Sequence, residues 1–381
     1  MRGNLVIYDT IVIGTGPAGS TAAFELAHKG YRVLALEKNR HPRYKVCGGG
    51  LSVRLDRQLG RHYHTVVEKT VTRMVVACKG DSSFEVSFDE PLAYLTMRSR
   101  FDAHLIRQAQ EAGCDLRENE PAVEFKTSED SVVVCTPHGE YEGRTVIGAD
   151  GAPSRVAKML FPMNAIPLGV ALESETVTAT GRPWPDESLL IDVGIIRGGY
   201  AWIFPKSDHL SSGLATFYRG RQDLRHLFGQ WVQDQPAIPS LEQQKIIGHL
   251  IPRFTPRAAS LVWHRALLVG DAAGMVDPFL GEGIYYGVWS GRLAAEAVSG
   301  YLKGKTPLAS YEAVVRNEIY PELRVASRIA RIVYRFPRLF FKLTAQHPEW
   351  LKGYGKVLQG RMTYRELWKR GLDFRYWFQT R

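Results

Sequence analysis

Apolar residues follow two patterns along this chain. Short apolar runs at Thr10–Ile13, 33–36 and 266–269 each lead into glycine or into small residues at helical spacing, which predicts parallel strands connected by helices. From about residue 162 to 263 the runs are strand-like and broken by glycine and proline, which predicts an inserted antiparallel sheet. Beyond residue 307 a helical pattern returns together with many basic residues.

These patterns predict an α/β (α+β) fold that a chain of 381 residues can divide among several domains. We expect three parts: a discontinuous Rossmann-like nucleotide-binding domain, an antiparallel-sheet domain for a substrate, and a helical, basic C-terminal region. Their expected bounds are, in that order, 1–70 with 95–161 and 264–300; 71–94 with 162–263; and 301–381. Separate helices are predicted at 51–59, 98–112 and 222–233.

The most specific motif joins the first two predicted strands. The turn Gly14-Thr15-Gly16-Pro17-Ala18-Gly19 comes directly after the first strand, and Glu37 ends the second. In such a unit the glycines permit a tight turn and close backbone approach, and the N-terminus of the following helix binds a pyrophosphate. The acid at the end of the second strand accepts hydrogen bonds from an adenosine ribose. The sequence therefore predicts a dinucleotide site.

Two further stretches suit a flat, partly apolar ligand. Three consecutive glycines follow Cys47, and a backbone without side chains can pass close to a planar ring. Cys47 itself is either beside that ring or a small packing residue, and the spacing favours neither. Tyr200, Trp202 and Phe204 alternate along one predicted strand, so their rings share one face. That face lines either a pocket for an oily ligand or the core of the sheet.

Three other positions have the chemistry to hold a cofactor. Asp271 ends a predicted strand, where its carboxylate can accept a hydrogen bond from a ligand hydroxyl. The helix that begins near Gly283 directs its positive end at whatever precedes it, which suits a ligand with an anionic edge. Arg98 opens the helix at 98–112 and either meets a pyrophosphate or caps and solvates that helix.

The basic residues are concentrated at the C-terminus. Of a net charge of +10, residues 311–381 hold an excess of nine positive charges. Aromatic residues are interleaved with them, which suits either an anionic membrane surface or a solvated helix with its rings packed inward. Nucleic acid is not expected, because no recognised nucleic-acid motif accompanies the charge. These aromatic residues are Tyr334, Phe336, Phe340, Phe341, Trp350, Tyr354, Trp368, Phe374, Tyr376, Trp377 and Phe378.

Cysteine usage and hydropathy indicate a cytoplasmic protein. Cys47, Cys78, Cys114 and Cys135 are scattered, without zinc-ligand or disulfide spacing. The first strand is predicted within ten residues of the N-terminus, which leaves no room for a signal peptide, and no apolar run is long enough to span a bilayer. We therefore expect no metal site and a location in the cytoplasm, peripheral to a membrane.

Three motifs in order resemble FAD enzymes of the p-hydroxybenzoate hydroxylase type: G-T-G-P-A-G with its acid, G-A-D-G-A-P-S-R at 148–155, and V-G-D-A-A-G at 269–274. Within that superfamily, P-R-Y-K-V-C-G-G-G and Y-A-W-I-F-P resemble the geranylgeranyl reductase family, which saturates double bonds of polyprenyl chains. The resemblance implies a prenyl-lipid pocket at Tyr200, Trp202 and Phe204. It implies FAD contacts at Gly14, Gly16, Ala18, Gly19, Glu37, Cys47, Gly48, Arg98, Ala122, Asp271, Gly283 and Ile284.

The implied reaction needs a hydride at one alkene carbon and a proton at the other. Aromatic faces can stabilise the positive charge that develops between the two transfers. Our hypothesis for the proton donor is Cys47, with Tyr44 as second choice, because an ordinary thiol is mostly protonated at neutral pH. A monooxygenase or halogenase on the same framework, and a flavin-bearing prenyl-lipid binding protein, are the alternatives. The electron donor, NAD(P)H or a ferredoxin-like carrier, is left open by the sequence.

Overall fold

The computed structural model describes residues 7–80, 82–160, 166–179, 181, 183–218, 220, 222–240, 244–255 and 260–372. The strands are β1 Ile7–Tyr8, β2 Thr10–Ile13, β3 Val33–Glu37, β4 Gly50–Ser52, β5 Val67–Val71, β6 Arg73–Cys78, β7 Ser82–Ser87, β8 Ala93–Thr96, β9 Asp115–Glu118, β10 Glu124–Thr127, β11 Val132–Cys135, β12 Glu140–Gly143, β13 Val146–Gly148, β14 Leu168–Thr176, β15 Ser188–Val193, β16 Gly199–Pro205, β17 Leu210–Thr216, β18 Ile247–Pro252, β19 Val262–Trp263 and β20 Ala266–Leu268. The helices are α1 Pro17–His28, α2 Asp56–Leu59, α3 Arg98–Glu111, α4 Arg155–Leu160, α5 Leu224–Gln233, α6 Ile284–Leu302, α7 Ser310–Arg335, α8 Pro337–Gln346, α9 Glu349–Leu358 and α10 Tyr364–Leu372. The aromatic residues predicted in the tail at Phe374, Tyr376, Trp377 and Phe378 lie outside the described residues.

A six-stranded sheet in the order β19-β20-β13-β2-β3-β9 forms one half of the fold. Every neighbouring pair is parallel except β19 with β20, and helices α1, α3 and α6 pack together against it. Strands β2 and β3 are buried along their whole length, as expected for strands covered on both faces. The ends of β2, β3, β13 and β20 meet at one edge, where Glu37 ends β3 and where the glycine turn, Asp150 and Asp271 follow the other three strands.

The predicted inserted sheet has seven strands in the order β18-β14-β17-β16-β15-β6-β7. It is antiparallel except for one pair, because β6 lies parallel to β15. The expectation of a wholly antiparallel sheet was therefore incomplete. The parallel pair arises because β6 comes from the earlier segment at 71–94 and reaches β15 only through a long connection, which parallel pairing requires.

The prediction of a helix over residues 51–59 was wrong in its first half. Strand β4 pairs with β8, with Gly50 opposite Leu95, and a single 3₁₀ turn at Val53–Leu55 leads into the short helix α2. Pairing with a strand more than 40 residues away is a tertiary interaction that local spacing does not reveal. The other two predicted helices are present as α3 and α5, each within two residues of its expected start.

Helices α7 to α10 fold back onto both sheets. The Tyr364 hydroxyl at the start of α10 donates a hydrogen bond to Asp277, and its backbone N–H donates to Glu322 on α7 at 2.6 Å. None of the helices in the described part of the chain has the length and apolar composition to cross a membrane. The division into three domains stays a prediction.

Candidate active site

A cavity of about 750 Å³ runs from the glycine turn before α1 to the aromatic strand β16. Its first part is bordered by the carboxyl ends of β2, β3, β13 and β20, and its second part by one face of the seven-stranded sheet. A crevice at the carboxyl ends of parallel strands is the usual ligand position in such folds. Its size falls within the range of small-molecule and cofactor sites.

The glycines of the turn have different tasks. Gly14 has φ +93°, and a Cβ there would lie 2.5 Å from the Ala149 carbonyl oxygen. At Gly19 a Cβ would lie 1.9 Å from the Gly14 carbonyl oxygen, so this glycine lets α1 pack against the turn and does not itself line the cavity. At Gly16 a Cβ would meet nothing within 4 Å, because this position faces the open cavity.

Helix α1 presents an uncapped N-terminus to the cavity. Gly16 is its N-cap and offers no side chain, Pro17 occupies the first turn, and no acidic residue lies there. Gly16, Pro17 and Ala18 line the cavity, so the free backbone N–H groups of the first turn lie at its border. Free N–H groups and the positive end of a helix dipole together bind anionic phosphates.

Glu37 lies at the end of β3 and is 3% exposed. Its Oε2 accepts hydrogen bonds from the backbone N–H of Thr15 at 3.1 Å and from its hydroxyl at 2.7 Å. Burial alone would raise the pKa of Glu37, but the Arg43 guanidinium and the Thr15 bonds outweigh it and hold the pKa below its usual value. Glu37 is therefore a fixed carboxylate that lines the cavity.

Asp271 and the start of helix α6 also border the cavity. Gly283 is the N-cap of α6 and provides no side-chain cap, and a Cβ there would lie 3.0 Å from the Asp271 Oδ1 atom. Within the described part of the chain, the Asp271 carboxylate has no side-chain hydrogen bond. Burial raises its pKa, while Lys45 and Arg98 oppose that shift. An acceptor without a partner beside an uncapped helix N-terminus suits a ligand with hydroxyl donors and an anionic edge.

Arg98 is held rigidly at the start of α3. Its Nε and Nη2 atoms donate to both oxygens of Asp102, at 2.8 and 2.9 Å, and both side chains are buried. Arg43 donates to the same carboxylate at 2.9 Å. The Arg98 side chain lines the cavity, and it is near enough to Cys47 to interact with it electrostatically. It is thus a fixed positive charge near the loop that begins at Cys47.

The rings of Tyr200, Trp202 and Phe204 form an aromatic wall along β16. Neighbouring ring centroids are 6.0 and 6.4 Å apart, and all three rings line the cavity. The strand register places Gly213 opposite Trp202, and a Cβ at Gly213 would lie 2.4 Å from the indole. The wall extends into an apolar slot lined by Met74, Ala171, Leu189, Ile191, Ala215, Ile251, Tyr354 and Leu358.

Residues 47–50, the glycine loop, connect the two parts of the cavity. A Cβ at Gly48 would lie 2.9 Å from the Phe204 ring and 3.1 Å from the Trp202 Nε1 atom. The loop backbone is thus in contact with the aromatic wall on one side and faces the cavity. Lys206 fixes it from behind, because its ammonium donates to the carbonyl oxygens of Gly48 at 2.7 Å and Thr96 at 2.9 Å.

The two predicted proton donors both lie at this junction. Cys47 is half-buried, and its sulfur accepts a hydrogen bond from the Gly49 N–H at 3.4 Å. Tyr44 is 46% exposed, and its hydroxyl donates to Glu173 at 3.4 Å. Partial burial of the hydroxyl and the nearby Glu173 raise the pKa of Tyr44 above its usual value, which makes it a weaker acid.

Every predicted site residue except Gly19 therefore lines the same cavity. Sequence reasoning did not single out Glu173, Lys206, or the pair of Lys45 and His249, whose Nζ and Nε2 atoms are 2.6 Å apart. A signal existed for Lys206, since it continues the two-residue alternation of the aromatic wall.

Asp150 of the motif at 148–155 mainly caps α4. One of its oxygens accepts from the backbone N–H groups of Arg155 at 2.6 Å and Val156 at 3.2 Å. The remainder of that turn, from Gly151 to Pro153, borders the cavity, as does Ala122.

The site and the fold define an FAD-binding oxidoreductase. Residues 7–165 match the FAD binding domain family. The groups present fit this cofactor, because uncapped helix N-termini, the fixed Glu37 carboxylate and the unpartnered Asp271 carboxylate surround one continuous cavity.

Relatives identify the family. The chain is 32% identical to a geranylgeranyl diphosphate reductase of Rhodobacter capsulatus, over 79% of this chain and 77% of the relative. It is 26% identical to a digeranylgeranylglycerophospholipid reductase of Methanopyrus kandleri, over 95% and 99%. A geranylgeranyl bacteriochlorophyll reductase-like protein of Thermoplasma acidophilum has the same fold, with a TM-score of 0.73, 21% identity, and coverage of 86% of this chain and 88% of that one. The chain belongs to the geranylgeranyl reductase family.

Gly16→Val tests the position of the pyrophosphate. The two methyl groups would project into the open cavity, so the protein should fold while FAD binding weakens at least a hundredfold, or about 2.7 kcal/mol. Flavin absorbance of the purified protein and titration of the apoprotein with FAD measure this. Gly139→Val is the matched control, since a Cβ there also meets nothing within 4 Å and Gly139 is not among the residues that line the cavity. Normal FAD affinity in Gly16→Val would exclude the assignment.

Glu173→Gln tests the burial of that carboxyl group. The pKa of Glu173 is raised to about 7, chiefly by burial and then by Glu175, so the native state is destabilised as pH rises from the unfolded pKa through 7. The variant should gain stability over wild type above pH 7, by up to about 3 kcal/mol, and lose that advantage near pH 4. Denaturant unfolding of both proteins at each pH measures this, and an advantage that is independent of pH would contradict it.

Proposed function

We propose that this protein reduces carbon–carbon double bonds of a polyprenyl chain of the geranylgeranyl type. The observation that carries the proposal is the contact of Gly48 with the aromatic wall, which joins a dinucleotide cavity and an apolar slot into one space. The names of the two reductase relatives support the substrate class. This function accounts for the predicted division into domains, because one sheet holds the cofactor and the other holds the lipid.

An isolated alkene is difficult to reduce because no carbonyl polarises it. Reduced FAD supplies a hydride equivalent when bound. The protein contributes a slot lined with apolar side chains, which excludes water and orients the chain, and aromatic faces that stabilise positive charge on the substituted carbon. The assignment of the proton to Cys47, or to Tyr44, stays a prediction, and both residues line the same cavity as the wall.

The proposal is tested in a single turnover. Purified holoprotein is reduced without oxygen, mixed with geranylgeranyl diphosphate, and followed by flavin absorbance and mass analysis of the lipid. We expect reoxidation of the flavin and one added pair of hydrogens for each bond reduced. Tight lipid binding without reoxidation would indicate a binding protein. Oxygen-dependent product carrying a hydroxyl or a halogen would indicate a monooxygenase or halogenase.

Two variants of Trp202 test whether the aromatic wall acts through its π electrons or only through its bulk. Trp202→Phe keeps an aromatic face, whereas Trp202→Leu keeps apolar bulk without it. Cation–π stabilisation of about 1–2 kcal/mol predicts that the leucine variant reoxidises its flavin with the alkene roughly tenfold more slowly than the phenylalanine variant. Flavin content measured first in both variants controls for folding. Equal rates would mean that the wall acts only by its shape.

We also propose that the protein binds a membrane surface through the junction of α7 and α8. Ile332, Phe336 and Leu339 are among the exposed large apolar side chains, at 52 to 55% exposure. They are surrounded by five exposed basic residues: Arg328, Arg331, Arg335, Arg338 and Lys342. Apolar side chains ringed by cations suit an anionic lipid surface, and a prenyl lipid is found in a membrane. We call these eight residues the basic apolar patch.

The double variant Phe336→Asp/Leu339→Asp should bind vesicles containing phosphatidylglycerol at least tenfold more weakly, because it loses apolar insertion and gains repulsion. Vesicle sedimentation measures this. Wild-type binding should itself weaken with added salt. Val177→Asp is the control, because Val177 is an apolar residue that is 68% exposed but lies outside the basic apolar patch. Equal loss in both variants would exclude a specific patch.

A further inference from the structure

Glu173 is a buried acid on the face of the sheet that lines the slot. It is 1% exposed and borders the cavity together with Ala171, which lies two residues before it on β14. The facing positions on the neighbouring strands are Gly213 on β17 and, beside Ala171, His249 on β18. A carboxyl group in this mostly apolar face requires an explanation, because burial of an unpaired charge is costly.

The polar neighbours of Glu173 do not balance the negative charge that its carboxylate would carry. It accepts a hydrogen bond from the Tyr44 hydroxyl at 3.4 Å, and the nearby backbone N–H of Cys47 opposes the rise of its pKa. No lysine or arginine in the described residues lies within ion-pair distance of it. Lys206 is near enough to act electrostatically, but its ammonium is bonded to two backbone carbonyls.

The environment therefore keeps a proton on Glu173 near neutral pH. Burial raises its pKa to about 7, and the half-buried Glu175 on the same face adds to the shift, while Lys206 opposes it. Both the acid and its conjugate base are then populated under physiological conditions, which is the condition for efficient proton donation and recovery.

Other titratable groups around the slot are poorer donors. Burial and then Lys45 lower the pKa of His249 to about 4, so its ring carries no surplus proton at neutral pH. Tyr44 has a raised pKa, and its hydroxyl is directed at Glu173 itself. Burial lowers the pKa of Lys206, but its protons are held by carbonyl oxygens behind the glycine loop.

We propose that Glu173 is the general acid that protonates the alkene, with Tyr44 holding its carboxyl group in position. The proposal rests on the proposed function. In the step, the π bond breaks and two C–H bonds form. One carbon receives the hydride and its electron pair from the reduced cofactor, which is oxidised by two electrons, and the other receives the proton of Glu173. The resulting carboxylate recovers a proton from solvent.

Glu173→Gln keeps the shape of the side chain and its acceptor oxygen but cannot donate an acidic proton. In the reduced holoprotein, reoxidation by geranylgeranyl diphosphate should slow at least a hundredfold, and the decline of the wild-type rate above pH 7 should disappear. Glu173→Asp should restore part of the rate. Glu175→Gln should keep the maximal rate and move the pH profile to lower pH, because a like charge is removed from beside Glu173.

A second measurement does not depend on turnover. Infrared spectra of the oxidised holoprotein should show a protonated carboxyl band that titrates near pH 7 and is absent in Glu173→Gln. If wild type fails to reduce any prenyl chain, the proposed function is lost, and this role with it. If wild type reduces the lipid and Glu173→Gln does so at the same rate, only this role is lost. Slowing in Cys47→Ser but not in Glu173→Gln would return the role to the thiol.

Discussion

The contact between the glycine loop and the aromatic wall is the constraint on which the site depends. Any side chain at Gly48 would collide with Phe204 and Trp202, and one at Gly49 would collide with the Thr96 carbonyl oxygen. The loop can therefore lie against the wall only because these positions lack Cβ atoms. Lys206 holds the loop there with two hydrogen bonds, although burial lowers its own pKa. The contact lies where the two parts of the one cavity meet.

A second network fixes the other side of the same junction. Residues 269–283 connect β20 to α6, and the Tyr200 hydroxyl donates to the Leu280 carbonyl oxygen within this segment. Ser52 and Arg54 donate to Glu282, and Tyr364 donates to Asp277. Asp277 is fully buried, and this burial raises its pKa to about 6. The C-terminal helices thus help to position the N-terminus of α6 and one ring of the wall together.

Much of this arrangement could be predicted because its signals are local. The glycine turn, Glu37 and Asp271 occur at fixed positions relative to strands, and the wall repeats every second residue. What could not be predicted depends on distant pairing. Strand β4 forms only because β8 is available to it, and β6 joins the inserted sheet in parallel only through a long connection. Local spacing contains neither partner.

The role of Glu173 could not be predicted from the local sequence either. On β7, Glu85 occupies an equivalent place in an alternating strand, yet it is exposed and lies 3.7 Å from Arg73. The local sequence of β14 gives the same alternation, and only the tertiary structure decides that its acidic face lies against the glycine loop. Because that face is shielded from water, an ordinary carboxyl group retains its proton near neutral pH. The chemistry of the residue is thus set by the loop that covers it, and not by the strand that carries it.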